Sequence, residues 1–392
     1  MKPTYEQQSD EPVIQLVDFI LKKAIAHSAS DVHFESMENA LRVRYRIDGA
    51  LYDQPPVEKK VMNQLLSRIK VLAHIDITER RIPQDGKFRI MSGRESIDLR
   101  VSTFPSIYGE KIVVRILDRA RNTIKLEQLG MSTQMLAAFK ELLHRSHGFF
   151  LVAGPTGSGK TTTLYAALSV LNSPERNIIT LEDPVEYNLD GITQGQINED
   201  VGFTFEKGLR ALLRQDPDIV MVGEMRDRQT AQIAVEAALT GHLVLSTVHT
   251  NDAPSVIMRL MDMGIEPFLI NAAITGVLAQ RLARKICTSC RQEAEPTVEQ
   301  QIILNRLGID CDTLYSGKGC DACLQLGYKG RVGIFELLVM DTDLRALIVQ
   351  HPVFDAIYAQ ARASGMQSLL EDGTRKVQEG IITLDELVRA IA

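Results

Sequence analysis

Lys160 and Thr161 close a glycine-spaced run, Gly154-Pro155-Thr156-Gly157-Ser158-Gly159, whose three glycines free the backbone to turn its N–H groups toward a common centre. Inward N–H groups beside an ammonium and a hydroxyl suit a nucleoside triphosphate such as ATP. Lys160 would reach the β- and γ-phosphates, Thr161 would offer its hydroxyl to Mg²⁺, and Thr162 continues the same polar surface. The spacing recurs by chance in long chains, so its context matters. Phe149-Phe150-Leu151-Val152-Ala153 reads as a strand and Lys160 to Leu168 as a helix, whose positive dipole end adds to anion binding.

Acidic groups for phosphoryl chemistry stand further along. Asp218-Ile219-Val220-Met221-Val222-Gly223-Glu224 reads as a buried parallel strand with a carboxylate just past its end, where ligands of open α/β sheets gather. Glu224 is the candidate to polarise a water or hold it through Mg²⁺; capping the next helix is the plainer alternative. Ile178-Ile179-Thr180-Leu181 leads into Glu182, Asp183 and Glu186, a carboxylate group suited to a metal or a water. The third stretch, Thr240 to Thr250, sets Ser246, Thr247 and His249 where a γ-phosphate is commonly sensed, with His242 either part of the site or a helix-terminal residue.

Five cysteines complete the reactive set. Cys287 and Cys290 form one C-x2-C, Cys320 and Cys323 a second after a 29-residue spacer, and Cys311 stands apart as a packed or partly exposed free thiol. Paired knuckles of this kind indicate structural Zn²⁺ in Cys₄ coordination, with an Fe–S or redox site as the alternative. Disulfides fit poorly with a nucleotide-binding protein of a reducing compartment.

The elements that must carry these residues follow from the pattern. The length of 392 residues suggests two or three domains. Residues 1–10 form a polar tail. Residues 11–117 combine an amphipathic helix (Val13, Leu16, Val17, Ile20, Leu21) with alternating strands such as Leu41 to Ile47, an α+β domain with a half-exposed sheet. The polar stretch 118–124 is the linker. Alternating helices and short apolar strands over 125–283 imply a parallel, doubly wound sheet. The cysteine segment occupies 284–334 and a helical domain 335–392. A net charge of −6 and a pI near 5.8 argue against nucleic acid as a partner. No stretch nears the ~18 apolar residues of a membrane span, so membrane contact would be peripheral.

Gly154 to Thr161, Leu181-Glu182-Asp183-Pro184-Val185-Glu186, Ile219 to Asp227 and Thr240 to Asn251 resemble, in order, the Walker A, Asp box, Walker B and His box of the secretion ATPase superfamily, in particular the type II secretion and type IV pilus assembly ATPases. Ser30-Asp31-Val32-His33-Phe34-Glu35, Arg81 to Gly86 and Asp98-Leu99-Arg100-Val101-Ser102-Thr103 are similar to that family's preceding domain. The resemblance implies a RecA-like P-loop ATPase domain behind a smaller PAS-like α+β domain. It also implies a homohexamer docked on the cytoplasmic face of an inner-membrane platform, driving a fibre of pilin-like subunits. The nucleotide would lie between the two domains, with Arg100 and Arg115 reaching its phosphates as the wall closes. The tetracysteine segment is similar to that of assembly motors and is lacking in retraction motors, which implies extension or export.

Two departures from the family pattern stand out. The chain reaches its Ser-Asp-Val-His-Phe-Glu module with no room for the additional N-terminal domain of this branch, as a short form or a fragment would. Lys87 stands where arginine often follows the Asp-Gly pair and is assigned no catalytic role. A nucleotide-dependent regulator or scaffold, and a DNA-transport or type IV secretion ATPase, are the alternative functions.

Overall fold

The computed structural model describes residues 11–92, 95–117 and 124–391, which fall into two units dividing near residue 121. The polar tail 1–10 and all but the last residue of the 118–124 linker lie outside the described residues.

The N-terminal unit runs α1 (Glu11–Ala26), β1 (Asp31–Ser36), β2 (Ala40–Ile47), β3 (Ala50–Glu58), α2 (Lys59–Leu72), β4 (Gln84–Ser92), β5 (Glu95–Ser106) and β6 (Gly109–Leu117). Its strands form an antiparallel sheet in the order β3-β2-β1-β6-β5-β4. Period-2 alternation decides which face is covered. Leu41, Val43, Tyr45 and Ile47 of β2 are buried on the side where α1 and α2 pack, and the Tyr45 hydroxyl donates to the Ile20 carbonyl at 2.8 Å. The other face is polar. Across it Lys87, Arg100, Arg115, Asp31 and Arg46 stand in one cross-strand row, with Arg115 donating to Asp31 at 3.0 Å.

After a 3₁₀ turn at Leu126–Gln128, the C-terminal unit continues with α3 (Thr133–Leu143), β7 (Gly148–Ala153), α4 (Lys160–Leu171), β8 (Ile178–Glu182), β9 (Thr193–Gln196), α5 (Phe205–Leu212) and β10 (Ile219–Val222). Next come α6 (Arg228–Leu239), β11 (Leu243–Val248), α7 (Pro254–Asp262), α8 (Pro267–Ala273) and β12 (Ile274–Ile286). The sheet order is β15-β12-β7-β11-β10-β8-β9, where β15 spans Tyr328–Val339. All neighbours are parallel except β12 and β15. Successive residues of β7 feed opposite cores: Phe149 and Leu151 pack with α6, α7 and α8, while Phe150 and Val152 pack with α3 and α4. Burial on both faces is why these strands read as unbroken apolar runs rather than alternating ones.

Between β12 and β15 the chain makes the small hairpin sheet of β13 (Arg291–Ala294) and β14 (Leu314–Gly317), with α9 (Val298–Leu307) between them. After β15 come α10 (Thr342–Ile348), α11 (Phe354–Ala363), α12 (Leu369–Gln378) and α13 (Leu384–Ile391). A further core joins Ala283 of β12, Val332 and Ile334 of β15, Leu304 of α9, Val377 of α12 and Leu387 of α13. The expected divisions at 283/284 and 334/335 therefore fall inside two paired strands.

Candidate nucleotide site and cysteine cluster

The phosphate loop issues from β7, between β12 and β11, and α4 begins at Lys160 as the sequence indicated. Gly157 (φ +80°) and Gly159 (φ +89°) occupy the left-handed region that side chains rarely adopt. Pro155 and Thr156 form an exposed crest, Thr161 is exposed and Thr162 is half-buried. The Lys160 ammonium donates to the carbonyls of Gly154 at 2.8 Å and Pro155 at 3.2 Å. Burial lowers its pKa and Arg281 adds to that, against the attraction of Glu224. The Ser158 hydroxyl is buried beside Gly154, with no hydrogen-bond partner among the described residues.

Glu224 arrives two residues beyond β10. Its carboxylate touches the Arg226 guanidinium and lies 3.6 Å from His249 Nε2, so the His box and the second acidic strand meet. Helix α6 is capped by Asp227, which accepts from the Thr230 amide at 2.9 Å, and this leaves Glu224 free of the capping role. The hydroxyls of Ser246 and Thr247 donate to the carbonyls of Val222 and Gly223, each at 2.7 Å. They hold the turn that carries Glu224 instead of facing a γ-phosphate. His242 lies at the opposite end of β11 from His249, its ring 2.9 Å from the Ala237 carbonyl at the end of α6, so it is the helix-terminal residue.

The acidic box divides. Glu182 is the last residue of β8 and is 3 % exposed, receiving hydrogen bonds from the Tyr165 hydroxyl, from Thr180 at 2.6 Å and from Gln194 at 3.1 Å. Its oxygens are committed to protein donors. Asp183 and Glu186 are exposed beyond it, and the Glu186 amide donates to Tyr165 Oη at 3.4 Å. Burial first, and then Glu182, push the Tyr165 phenol far up, so it stays a donor. Tyr165 thus links the helix of the phosphate loop to the acidic turn.

Two positions had no motif to announce them. Gln280 of β12 donates to the Ser158 carbonyl, and Glu336 of β15, 2 % exposed and with its pKa raised by burial, accepts from the Ala253 amide at 2.7 Å beside the His box. The one sequence signal was a polar side chain set inside an apolar strand. Arg100 and Arg115 lie together in the N-terminal unit, in register on β5 and β6.

Cys287, Cys290, Cys320 and Cys323 bring their sulfurs within 4.8 Å of one another. Three separations are 3.8, 3.8 and 3.7 Å. A tetrahedron with Zn–S arms of ~2.3 Å has edges of ~3.8 Å, so the donor set fits that ion. The amides of Cys320 and Gly327 both donate to Cys323 Sγ at 3.3 Å. Burial opposes ionisation of Cys323, yet these donors prevail and bring its thiol down to about 7, toward the thiolate a metal needs. Cys311 is outside the cluster and donates to the Thr313 carbonyl.

A family model described as Type II/IV secretion system protein matches residues 6–389. The chain is 50% identical over 387 residues to the type II secretion system protein E of Pseudomonas aeruginosa, covering 98% of this chain and 76% of that protein. It is 48% identical over 384 residues to the type II secretion system ATPase E of Vibrio cholerae, with coverage of 98% and 76%. To the type IV pilus assembly ATPase PilB of Myxococcus xanthus it is 49% identical over 387 residues, with coverage of 97% and 68%. Among solved structures, the pilus retraction motor PilT with bound ADP superposes with a TM-score of 0.63 at 27% identity, over 94% of this chain and 95% of that one. The Legionella pneumophila ATPase DotB, at 21% identity and a TM-score of 0.70 over 99% and 97%, shares the fold.

Proposed function

The chain belongs to the type II/IV secretion system protein family, and from that premise we propose that it hydrolyses ATP as the homohexameric motor of type II secretion or type IV pilus assembly. It is an ATPase, like its relatives in V. cholerae and M. xanthus. The observation that carries the reading is the gathering of Lys160, Glu224 and His249 at the carboxyl ends of β7, β10 and β11, the ligand-binding edge of an open parallel sheet.

Gly154 to Gly159 present the N–H groups for the phosphates, and the Lys160 ammonium leaves its loop carbonyls to meet phosphate oxygens instead. Thr161, with the acidic turn at Glu186, would hold Mg²⁺, which supplies neutralisation of charge on the β- and γ-oxygens. Glu224 orients and polarises the water, with His249 beside it. Glu182 acts from below by fixing the turn. Arg100 and Arg115 of the N-terminal unit add positive charge when the site is closed, and reopening after hydrolysis is the mechanical step. The Cys₄ cluster holds Zn²⁺. In this reading the C-terminal unit is RecA-like, the N-terminal one PAS-like, and the ring works peripherally at the cytoplasmic face of the inner membrane. Its partners there are platform proteins and, through them, pilin-like subunits, with no nucleic acid; among the described residues no helix is long and apolar enough to cross a membrane.

Lys160→Ala tests the assignment. Turnover of MgATP should be lost while circular dichroism and the unfolding temperature stay near wild type, and persistent hydrolysis would refute the site.

A further inference from the structure

Gln280 sits in β12, the strand next to the one that launches the phosphate loop, and is 1 % exposed. Its Nε2 donates to the Ser158 carbonyl at 2.6 Å, and its Oε1 accepts from the Thr163 hydroxyl at 2.8 Å. One side chain thereby ties the end of the loop and the first turn of α4 to the same strand. The loop glycines above it allow the close approach. A Cβ on Gly154 would lie 2.6 Å from the Gln280 carbonyl oxygen, and one on Gly159 would lie 3.1 Å from its Nε2. The Gly159 end of the loop therefore rests on the Gln280 side chain, and the Gly154 end on the backbone of the same strand. The task needs a donor and an acceptor on one short planar group, which among side chains of this length is the glutamine amide. Buried as it is, such a group costs free energy when either of these hydrogen bonds is lost.

We propose that Gln280 is a positioning residue for the phosphate loop. It sets the direction of the Ser158, Gly159 and Lys160 amides and the root of the Lys160 side chain, without itself touching the nucleotide. The proposal deepens the nucleotide reading of the loop and rests on it.

Two near-isosteric variants of the full chain test it. Gln280→Glu keeps the acceptor for Thr163 and loses the donor to Ser158, and Gln280→Met loses both. Binding of Mg-N-methylanthraniloyl-ADP is followed by fluorescence, turnover at saturating ATP by phosphate release, and amide exchange by mass spectrometry. Each variant should bind the probe about tenfold more weakly. Amides of residues 154–163 should exchange faster while those of β8 and β10 keep wild-type protection. If Gln280→Met does not fold, Gln280→Glu decides alone, because it keeps one of the two bonds. Affinity within about twofold of wild type, or faster exchange spread evenly over the sheet, overturns the proposal by making Gln280 a packing residue. Failure of the nucleotide reading itself is distinguishable, since it would appear as continued turnover in Lys160→Ala.

Discussion

Tyr165 illustrates how a single hydroxyl can govern chemistry it does not touch. Its phenol donates to buried Glu182 and accepts from the Glu186 and Gln194 nitrogens, while its ring meets Tyr187 edge-on at 4.6 Å. Tyr165→Phe would leave Glu182 one donor short, at a cost of about 1–3 kcal/mol. The expected result is a lower unfolding temperature and a reduced kcat with nucleotide affinity nearly retained, separable by calorimetry and steady-state kinetics. An equal loss of affinity would mean that the tyrosine shapes the phosphate loop instead. Lys160, Glu224 and His249 could be proposed from the sequence because each lies in a short polar stretch that follows an apolar strand. Gln280 and Tyr165 were not, for the opposite reason. Gln280 meets partners 117 and 122 residues away, and Tyr165 lies inside a helix whose apolar neighbours give no hint of a buried carboxylate opposite. The hydroxyls of Ser246 and Thr247 were visible, but their partners were not, because the carbonyls that both of them reach, at Val222 and Gly223, lie 24 residues away in sequence.

Among the elements, α13 is fastened to β12 by a carboxylate. Glu386 accepts from the Arg284 amide at 2.8 Å and guanidinium at 2.7 Å, and from Arg389 at 2.7 Å. Burial alone would raise its pKa, yet the arginine donors outweigh it and hold the carboxyl at about 2, below the ordinary 4.5. A depressed folded-state pKa gives stability that is complete above about pH 4.5 and is lost as pH falls toward 2. Denaturant midpoints taken between pH 3 and pH 7 should therefore fall on acidification. Glu386→Gln should lower stability at pH 7 by about 2 kcal/mol and flatten that acid limb; an unchanged slope would place the titration elsewhere. The parallel strands of the core were readable as apolar runs between helices. The pairing of β12 with β15 was hidden, because more than forty residues separate the partners. Arg281, Arg284 and Lys285 also give β12 the look of a segment leaving the core, although Ala283 and Ile286 beside them stay buried.

At the scale of the whole molecule, the four thiols of the cysteine segment form a small buried cluster of their own, while Leu304 and Leu314 of the same segment pack into the core shared with β12, β15, α12 and α13. One zinc per chain is expected by elemental analysis. Chelation should speed amide exchange from Cys287 to Gly327 well before the parallel sheet unfolds, and a metal-free preparation with the same protection would remove zinc from the account. The order of the two units and the nature of the second could be followed along the sequence, because apolar runs and turn residues are local signals. The way the arm is built into the catalytic sheet could not, because long-range antiparallel pairing leaves no local trace. That construction has a practical result. A single pleated ribbon of 13 residues, β12, carries Gln280 under the phosphate loop and leads at its end into Cys287 of the cysteine cluster, a reach of about 23 Å at ~3.3 Å per residue. Anyone trimming the arm to make a minimal enzyme would be sawing at one end of a beam whose other end supports the hearth.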